Sequence, residues 1–162
     1  MSRIKVVITL VLTWVLVGCS ALSPYSTQTR LELQLAASDE LNPDINGRPS
    51  PIVLRLLELK NPVLFETVDF FSLYGQAKAL LAPDLVASEE LELRPGERLQ
   101  LKLHVKDGSR YVGVLAAYRD LPETKWRYVI QLRPGDTNLA QLTLDHAGIH
   151  NRAVVLNQVE QQ

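Results

Sequence analysis

The segment Leu31-Glu32-Leu33-Gln34-Leu35 alternates apolar and polar side chains, the pattern of a β-strand that buries one face and exposes the other. Residues 52–59 are more continuously apolar, so we expect a more deeply buried strand there. The same patterns predict further strands at residues 91–93, 99–105, 111–118, 126–132, 139–144 and 153–156. The chain is therefore predicted to be mainly β, with about eight strands.

Short turn sequences separate these strands. Arg94-Pro95-Gly96 and Arg133-Pro134-Gly135-Asp136 carry residues that suit tight turns, and Asp107-Gly108 lies between two alternating runs as in a hairpin. Many short strands with closely spaced turns favour a two-sheet sandwich, in which each sheet buries one face against the other. An eight-stranded closed barrel also fits this pattern.

One segment, from Pro62 to Asp84, departs from the β pattern. Its apolar residues recur at three-to-four spacings typical of a helix: Leu64, Val68, Phe71, Ala77, Leu80 and Leu81. Gly75 and Pro83 interrupt the run, so we predict one or two short helices over an edge or face of the sandwich. Asp69 and Ser72 are predicted to lie on a solvated helix face.

The N-terminus has the features of an export signal. Arg3 and Lys5 precede an apolar run from Val6 to Val17, which as a helix would span roughly 18 Å, too short for a hydrocarbon core of about 30 Å. The run ends in Leu16-Val17-Gly18-Cys19, which resembles the bacterial lipobox. We therefore predict that residues 1–18 are a lipoprotein signal peptide and that Cys19 is acylated as the first residue of the mature chain.

Residues 19–30 are predicted to form a lipidated tether, because they are rich in small hydroxylated side chains and contain Pro24. Residues 31–162 form the predicted sandwich domain. Cys19 is the sole cysteine, so the mature chain can form no internal disulfide. Removal of Arg3 and Lys5 changes the formal charge from −1 to about −3, and no basic cluster is visible, which argues against nucleic acid as a partner.

The most irregular stretch is Ser38 to Pro51, which contains three prolines and Gly47. It exceeds the usual loop length, and loops of this length are often functional. Prolines also restrict the loop before binding, which lowers the entropy lost when it meets a partner. A disordered surface excursion is the other interpretation.

Catalytic and metal-binding patterns are weak. His146 and His150 have a spacing that metal ligands use, but Gly148 lies between them in a turn-like segment, and His104 is the single remaining histidine. Glu89, Glu90 and Glu92 are better explained as charges that protect an edge strand than as paired catalytic acids. We therefore expect no enzyme, no metal site and no small-molecule substrate.

Several blocks resemble the type VI secretion outer-membrane lipoprotein family (TssJ/VasD-like). The resemblance lies in residues 41–56, which include Gly47-Arg48-Pro49-Ser50-Pro51, in Asp69-Phe70-Phe71-Ser72-Leu73-Tyr74, and in residues 111–121 followed by Trp126-Arg127. Together these blocks extend over nearly all of the mature chain.

The resemblance implies a transthyretin-like sandwich with a small helical addition and without cofactors, apart from the covalent lipid on Cys19. It implies a lipid-anchored protein on the periplasmic face of the outer membrane, and Ser20, which is not the Asp that retains lipoproteins in the inner membrane, agrees with this location. The implied partner is the periplasmic C-terminal region of a large inner-membrane component. The loop after the first strand is implicated in that contact, which makes Asn42, Asp44, Ile45, Asn46 and Arg48 the candidate residues. A periplasmic ligand-carrying lipoprotein is the alternative, and it would need an apolar cavity between the sheets.

Overall fold

The computed structural model describes residues 28–152. The predicted signal peptide, Cys19, most of the tether and the strand predicted at 153–156 lie outside these residues. The described elements are β1 (Arg30–Ala37), β2 (Ile52–Leu59), α1 (Val63–Thr67), α2 (Phe70–Leu80), β3 (Leu85–Leu93), β4 (Arg98–His104), β5 (Tyr111–Ala116), β6 (Arg127–Gln131), β7 (Thr137–Asp145) and β8 (Gly148–Asn151). Within residues 28–152, neither helix has the length and apolar character needed to cross a bilayer.

The strands form two separate four-stranded sheets. Sheet A has the order β4-β1-β7-β8 and sheet B the order β3-β2-β5-β6. All neighbours are antiparallel except β1 and β7, which run parallel, so the sheets contain strands that are distant in sequence. The predicted sandwich is therefore confirmed, and the closed barrel is wrong.

The main core lies between the sheets and consists largely of leucine. Leu31, Leu33 and Leu35 of β1 point into it, as the alternating sequence predicted. On sheet B, Leu54 and Leu56 of β2 face the same core, while the other leucines of that strand, Leu57 and Leu59, belong to a second cluster. Burial on both faces explains why residues 52–59 are almost continuously apolar.

The second cluster lies where α1 and α2 pack on the outer face of sheet B. Phe65 of α1 is fully buried and passes so close to Gly113 of β5 that a Cβ there would lie 2.9 Å from the ring. Asp69, predicted to be a solvated face, caps α2 by accepting a hydrogen bond from the backbone N–H of Ser72 at 3.0 Å. Arg127 points away from the sandwich core but meets this helical layer, where it donates to the carbonyls of Phe65 and Val68.

The two sheets are joined at one edge, where Lys125 forms a bridge with Gly148. The backbone N–H of Lys125 donates to Ala147 O at 3.0 Å, and the N–H of Ile149 donates to Lys125 O at 2.9 Å. Gly148 was predicted to lie in a turn-like segment between His146 and His150, but it begins β8, Gly148–Asn151. A period-two pattern of four residues that starts at a glycine is too short to recognise from sequence.

Gly148→Ala should be strongly destabilising. Gly148 has φ +126, and a Cβ there would overlap the backbone nitrogen and carbonyl oxygen of Lys125. Strain and steric overlap together should cost about 3 to 5 kcal/mol, measured by chemical denaturation. Gly108→Ala is the matched control, since Gly108 has φ +90 but a Cβ there would meet nothing within 4 Å. This variant should lose only the stability that corresponds to backbone strain. Equal losses in both variants would show that the close approach to Lys125 has no energetic weight.

Candidate functional site

The loop between β1 and β2, residues 38–51, lies at the opposite end of the sandwich from the point where the chain enters it. Arg30 at the start of β1 pairs with His104 and Thr137, whereas Ala37 at its end pairs with Leu144, next to the β7–β8 turn. Eight strand residues separate the two ends by about 25 Å. The loop therefore faces away from the segment predicted to be the membrane tether.

Leu41 and Asn42 fix the base of the loop. Leu41 is fully buried in the main core, and its carbonyl accepts a hydrogen bond from the N–H of Ser50 at 3.0 Å. The Asn42 side chain is only 3% exposed; it donates to Pro51 O at 3.0 Å and accepts from the N–H of Arg119 at 2.9 Å. Both polar atoms of Asn42 are therefore used to tie the loop to its own end and to the β5–β6 loop. Asn42 can therefore support a partner contact by holding the loop in its observed conformation.

Asp44 closes the tip of the loop. Its carboxylate accepts hydrogen bonds from the backbone N–H of Asn46 at 2.8 Å and of Arg48 at 3.0 Å, and it pairs with the Arg48 guanidinium at 2.7 Å. The backbone N–H of Arg48, and then its guanidinium, hold the pKa of Asp44 below its ordinary value. Because the pKa of Asp44 is lower in the folded than in the unfolded chain, its ionised carboxylate stabilises the fold at pH values above the unfolded pKa. This stabilisation is lost as the pH falls through the folded pKa, so the loop closure should persist at neutral and mildly acidic pH.

Ile45 stands at the tip of the closed loop and is completely exposed, at 101% of its reference area. Arg48 is also largely exposed, and Gly47 adopts φ +75, which allows the chain to turn back. A partner that covered this isoleucine would remove its apolar surface from water, which favours binding. The loop is thus ordered by its own hydrogen bonds, and of the five predicted contact residues Ile45 offers the most apolar surface.

Asn42→Ala should destabilise the fold by about 2 to 4 kcal/mol. It removes two side-chain hydrogen bonds between buried or partly buried groups, and it places alanine at φ 47, where asparagine is better tolerated. Asn42→Gly should recover part of the loss, because glycine adopts this φ without strain. Urea denaturation of both variants measures the two parts. Equal stability of the alanine variant and the wild type would mean that these bonds do not hold the loop.

A groove of about 860 Å³ runs beside the loop and was not foreseen from the sequence. Its walls come from three connections: the β1–β2 loop, the β5–β6 loop and the β7–β8 turn, with Tyr118, Arg119, Asp120, Glu123, Thr124 and His146 among its lining residues. Tyr118 is 4% exposed, and its hydroxyl has no hydrogen-bond partner in residues 28–152. Burial, followed by the charge of Asp145, raises the pKa of Tyr118, so the phenol stays protonated at neutral pH. The groove therefore has a charged rim, and the Tyr118 hydroxyl is buried behind its wall.

The histidines are placed apart. His146 lies in the β7–β8 turn, 4.0 Å from Glu40, while His150 lies in β8 and contacts Asp145 at 3.2 Å. Asp145 is already occupied by the backbone N–H groups of Ala147 and Gly148. Residues 28–152 contain no group of three side chains suited to hold a metal ion. Glu90 and Glu92 form ion pairs with Arg55 and Arg94 on or beside the edge strand β3.

The space between the sheets at the β3–β4 edge is small. A pocket lined by Leu56, Leu103 and Val112 measures about 40 Å³, whereas ligand pockets usually need about 300 Å³ or more. Large leucines occupy the interior between the sheets. This observation disfavours the ligand-carrying alternative.

Comparison with known proteins identifies the family. The profile of the type VI secretion lipoproteins, described as VasD, EvfM, TssJ and VC_A0113, matches residues 29–147, which is most of the chain. The chain belongs to the type VI secretion lipoprotein family. The search of curated protein sequences found no match.

Solved structures of family members have the same fold. The lipoprotein TssJ1 from Pseudomonas aeruginosa is 36% identical with a TM-score of 0.74, over 76% of this chain and 94% of that one. Serratia marcescens Lip, described as a membrane-bound component of the type VI secretion system, is 27% identical with a TM-score of 0.67, over 75% of this chain and 96% of that one. A chain of a type VI membrane complex is 25% identical with a TM-score of 0.67, over the same shares. The predicted family and fold class are thereby confirmed.

Proposed function

We propose that this type VI secretion lipoprotein is anchored by acylated Cys19 to the periplasmic face of the outer membrane. There it binds the periplasmic C-terminal region of the large inner-membrane component and anchors the trans-envelope assembly. The role is non-enzymatic. The proposal draws on the predicted leader, residues 1–18, that precedes Cys19, on the family membership, and on a relative found in a membrane complex.

The observation that carries the proposal is the placement of two features at opposite ends of one rigid body. The chain enters the sandwich at Arg30, next to the tether, while the loop with exposed Ile45 lies about 25 Å away at the other end. A lipid at the first end therefore leaves the second end clear of the anchor point and open to a partner in the periplasm. Asp44 and Arg48 close the loop before binding, so little ordering entropy is lost in the contact.

The partner contact is assigned to Ile45, Asn46 and Arg48 at the tip, while Asn42 and Asp44 hold the loop in shape. The groove beside Tyr118 would receive a part of the partner next to the tip. Because several anchored copies would be confined to one membrane, a modest affinity at each loop is enough for a stable assembly.

Co-purification from detergent-solubilised envelopes tests the proposal. The lipidated protein, carrying a C-terminal affinity tag, should recover the large inner-membrane component, and a periplasmic fragment of that component should bind the purified protein in calorimetry. Recovery of the lipidated protein without this component, together with no binding of the fragment, would contradict the proposed role.

A further inference from the structure

Among residues 28–152, no helix covers the outer face of sheet A, whereas helices α1 and α2 cover the outer face of sheet B. Its side chains follow from the strand register. In β1, Leu31, Leu33 and Leu35 point inward, so the alternate residues and their partners on β4 and β7 point outward. This surface, called here the open face, contains Arg30, Glu32, Gln34, Arg98, Gln100, Lys102, His104, Leu139 and Gln141, with Arg152 beside them.

The open face is basic on a chain that is acidic as a whole. Arg30, Arg98, Lys102 and Arg152 are exposed, and within residues 28–152 none of their side chains has an ion-pair or hydrogen-bond partner. Among the outward residues of β1 from Arg30 to Ala36 and their partners on β4 and β7, Glu32 is the single acidic side chain. Asp145 lies at the end of β7, where its carboxylate accepts hydrogen bonds from backbone N–H groups of the β7–β8 turn and contacts His150. With Glu32 and Asp145 set against the four cations, the face carries about two net positive charges, while the mature chain carries about −3.

A shallow groove and an apolar side chain complete the surface. The groove, about 350 Å³, is lined by Gln34, Gln100 and Gln141 together with Arg98 and Arg152. Amide and guanidinium N–H groups donate hydrogen bonds that phosphate oxygens accept. In the neighbouring row Leu139 is 75% exposed between these polar groups. Cations around a single exposed leucine suit a membrane surface, where the leucine enters the headgroup region.

We propose that the open face of sheet A binds anionic phospholipid headgroups and lays this face of the sandwich against the membrane. The position of the tether supports this occupant, because residues 20–29 lead directly into Arg30 at one corner of the face. Once the chain is anchored, weak attraction suffices, since the lipid surface is already at high local concentration. This inference rests on the proposed anchoring for the position of the membrane.

The test uses the mature chain, residues 19–162, coupled through its sole thiol, Cys19, to maleimide lipid in vesicles. One vesicle type contains phosphatidylcholine alone and the other about one third phosphatidylglycerol. Acetylation with an N-hydroxysuccinimide ester, read by mass spectrometry, compares Lys102 on the open face with Lys78 on α2. We expect acetylation of Lys102 relative to Lys78 to fall about five-fold or more on the anionic vesicles, and to recover at high salt.

Single charge reversals provide the matched controls. Arg98→Glu should restore the reactivity of Lys102 on anionic vesicles, because it removes a cation from the open face. Lys60→Glu changes the net charge equally but lies at the end of β2 in sheet B, so it should leave the protection of Lys102 in place. Both side chains are exposed, and thermal melting by circular dichroism verifies that each variant is folded.

Three results would overturn the inference. Lys102 could react equally on neutral and anionic vesicles, or Lys60→Glu could abolish its protection as completely as Arg98→Glu. Protection could also arise only after the partner's periplasmic domain is added, which would make the open face a protein-binding surface. Chemical coupling replaces acylation by the cell, so failure here is distinguishable from failure of the proposed function, which co-purification tests separately.

Discussion

Cys19→Ser should move the protein from the membrane fraction to the soluble periplasmic extract. The acylated residue would carry two or three long chains, and each buried methylene contributes about 0.8 kcal/mol, so losing them removes the anchor almost completely. The melting temperature of the purified sandwich should be unchanged, because position 19 precedes the first described strand, which begins at Arg30. Membrane fractionation with immunoblotting measures the effect.

Ser20→Asp is the informative control for this variant. It leaves Cys19 available for acylation but places after it the residue that retains bacterial lipoproteins in the inner membrane. The variant should therefore remain in membranes and shift from the outer to the inner membrane on a sucrose gradient. Unchanged membrane retention of Cys19→Ser, or an unmodified thiol in the wild-type protein by mass spectrometry, would contradict the anchor.

Ile45→Asp should weaken binding of the partner's periplasmic fragment about 30-fold to 150-fold. The completely exposed isoleucine is the main apolar group at the tip, and a contact residue of this kind is typically worth about 2 to 3 kcal/mol when it enters a partner pocket. A buried aspartate at this position would add a desolvation penalty. The fold should be unaffected, because in the free protein the side chain has no core contact to lose.

Phe71→Asp is the matched control for the loop variant. Phe71 is 76% exposed on α2, so this substitution replaces a largely exposed apolar side chain by the same charge on a different surface. Its affinity for the fragment should stay within about two-fold of the wild type by calorimetry. If Ile45→Asp binds as tightly as the wild type, the loop tip is not the contact, and a larger loss in Phe71→Asp would move the contact to the helical layer.

Local sequence patterns were sufficient for most elements. The alternation in residues 31–35 and the apolar run in residues 52–59 predicted β1 and β2, because strand burial repeats every two residues and is visible over a short window. The three-to-four spacing after Pro62 predicted the helices in the same way. The loop at residues 38–51 was also recognisable, since its prolines exclude regular structure.

The candidate site was only partly visible. The resemblance placed Ile45 and Arg48 in the loop after the first strand. Composition does not reveal the hydrogen bonds by which Asp44 closes the loop tip, or those by which both polar side-chain atoms of Asn42 fix its base. Asn42 bonds Arg119, which is 77 residues away. The groove at Tyr118 likewise needs three loops to meet at one end of the sandwich. No pattern within any one loop carries that information.

The sequence alone was enough to predict a mainly β fold, one or two short helices and a long loop, because each depends on neighbours a few residues apart. The leader at residues 1–18 and the acylation of Cys19 stay predictions. The tertiary structure decided which strands meet, and with them the parallel pairing of β1 with β7, the steric need for Gly148 and the basic open face. Arg30, Arg98 and Arg152 are far apart along the chain and share a surface only because backbone hydrogen bonds set the register of sheet A. Such pairings follow from how two whole sheets bury their leucines together, a property of the complete chain.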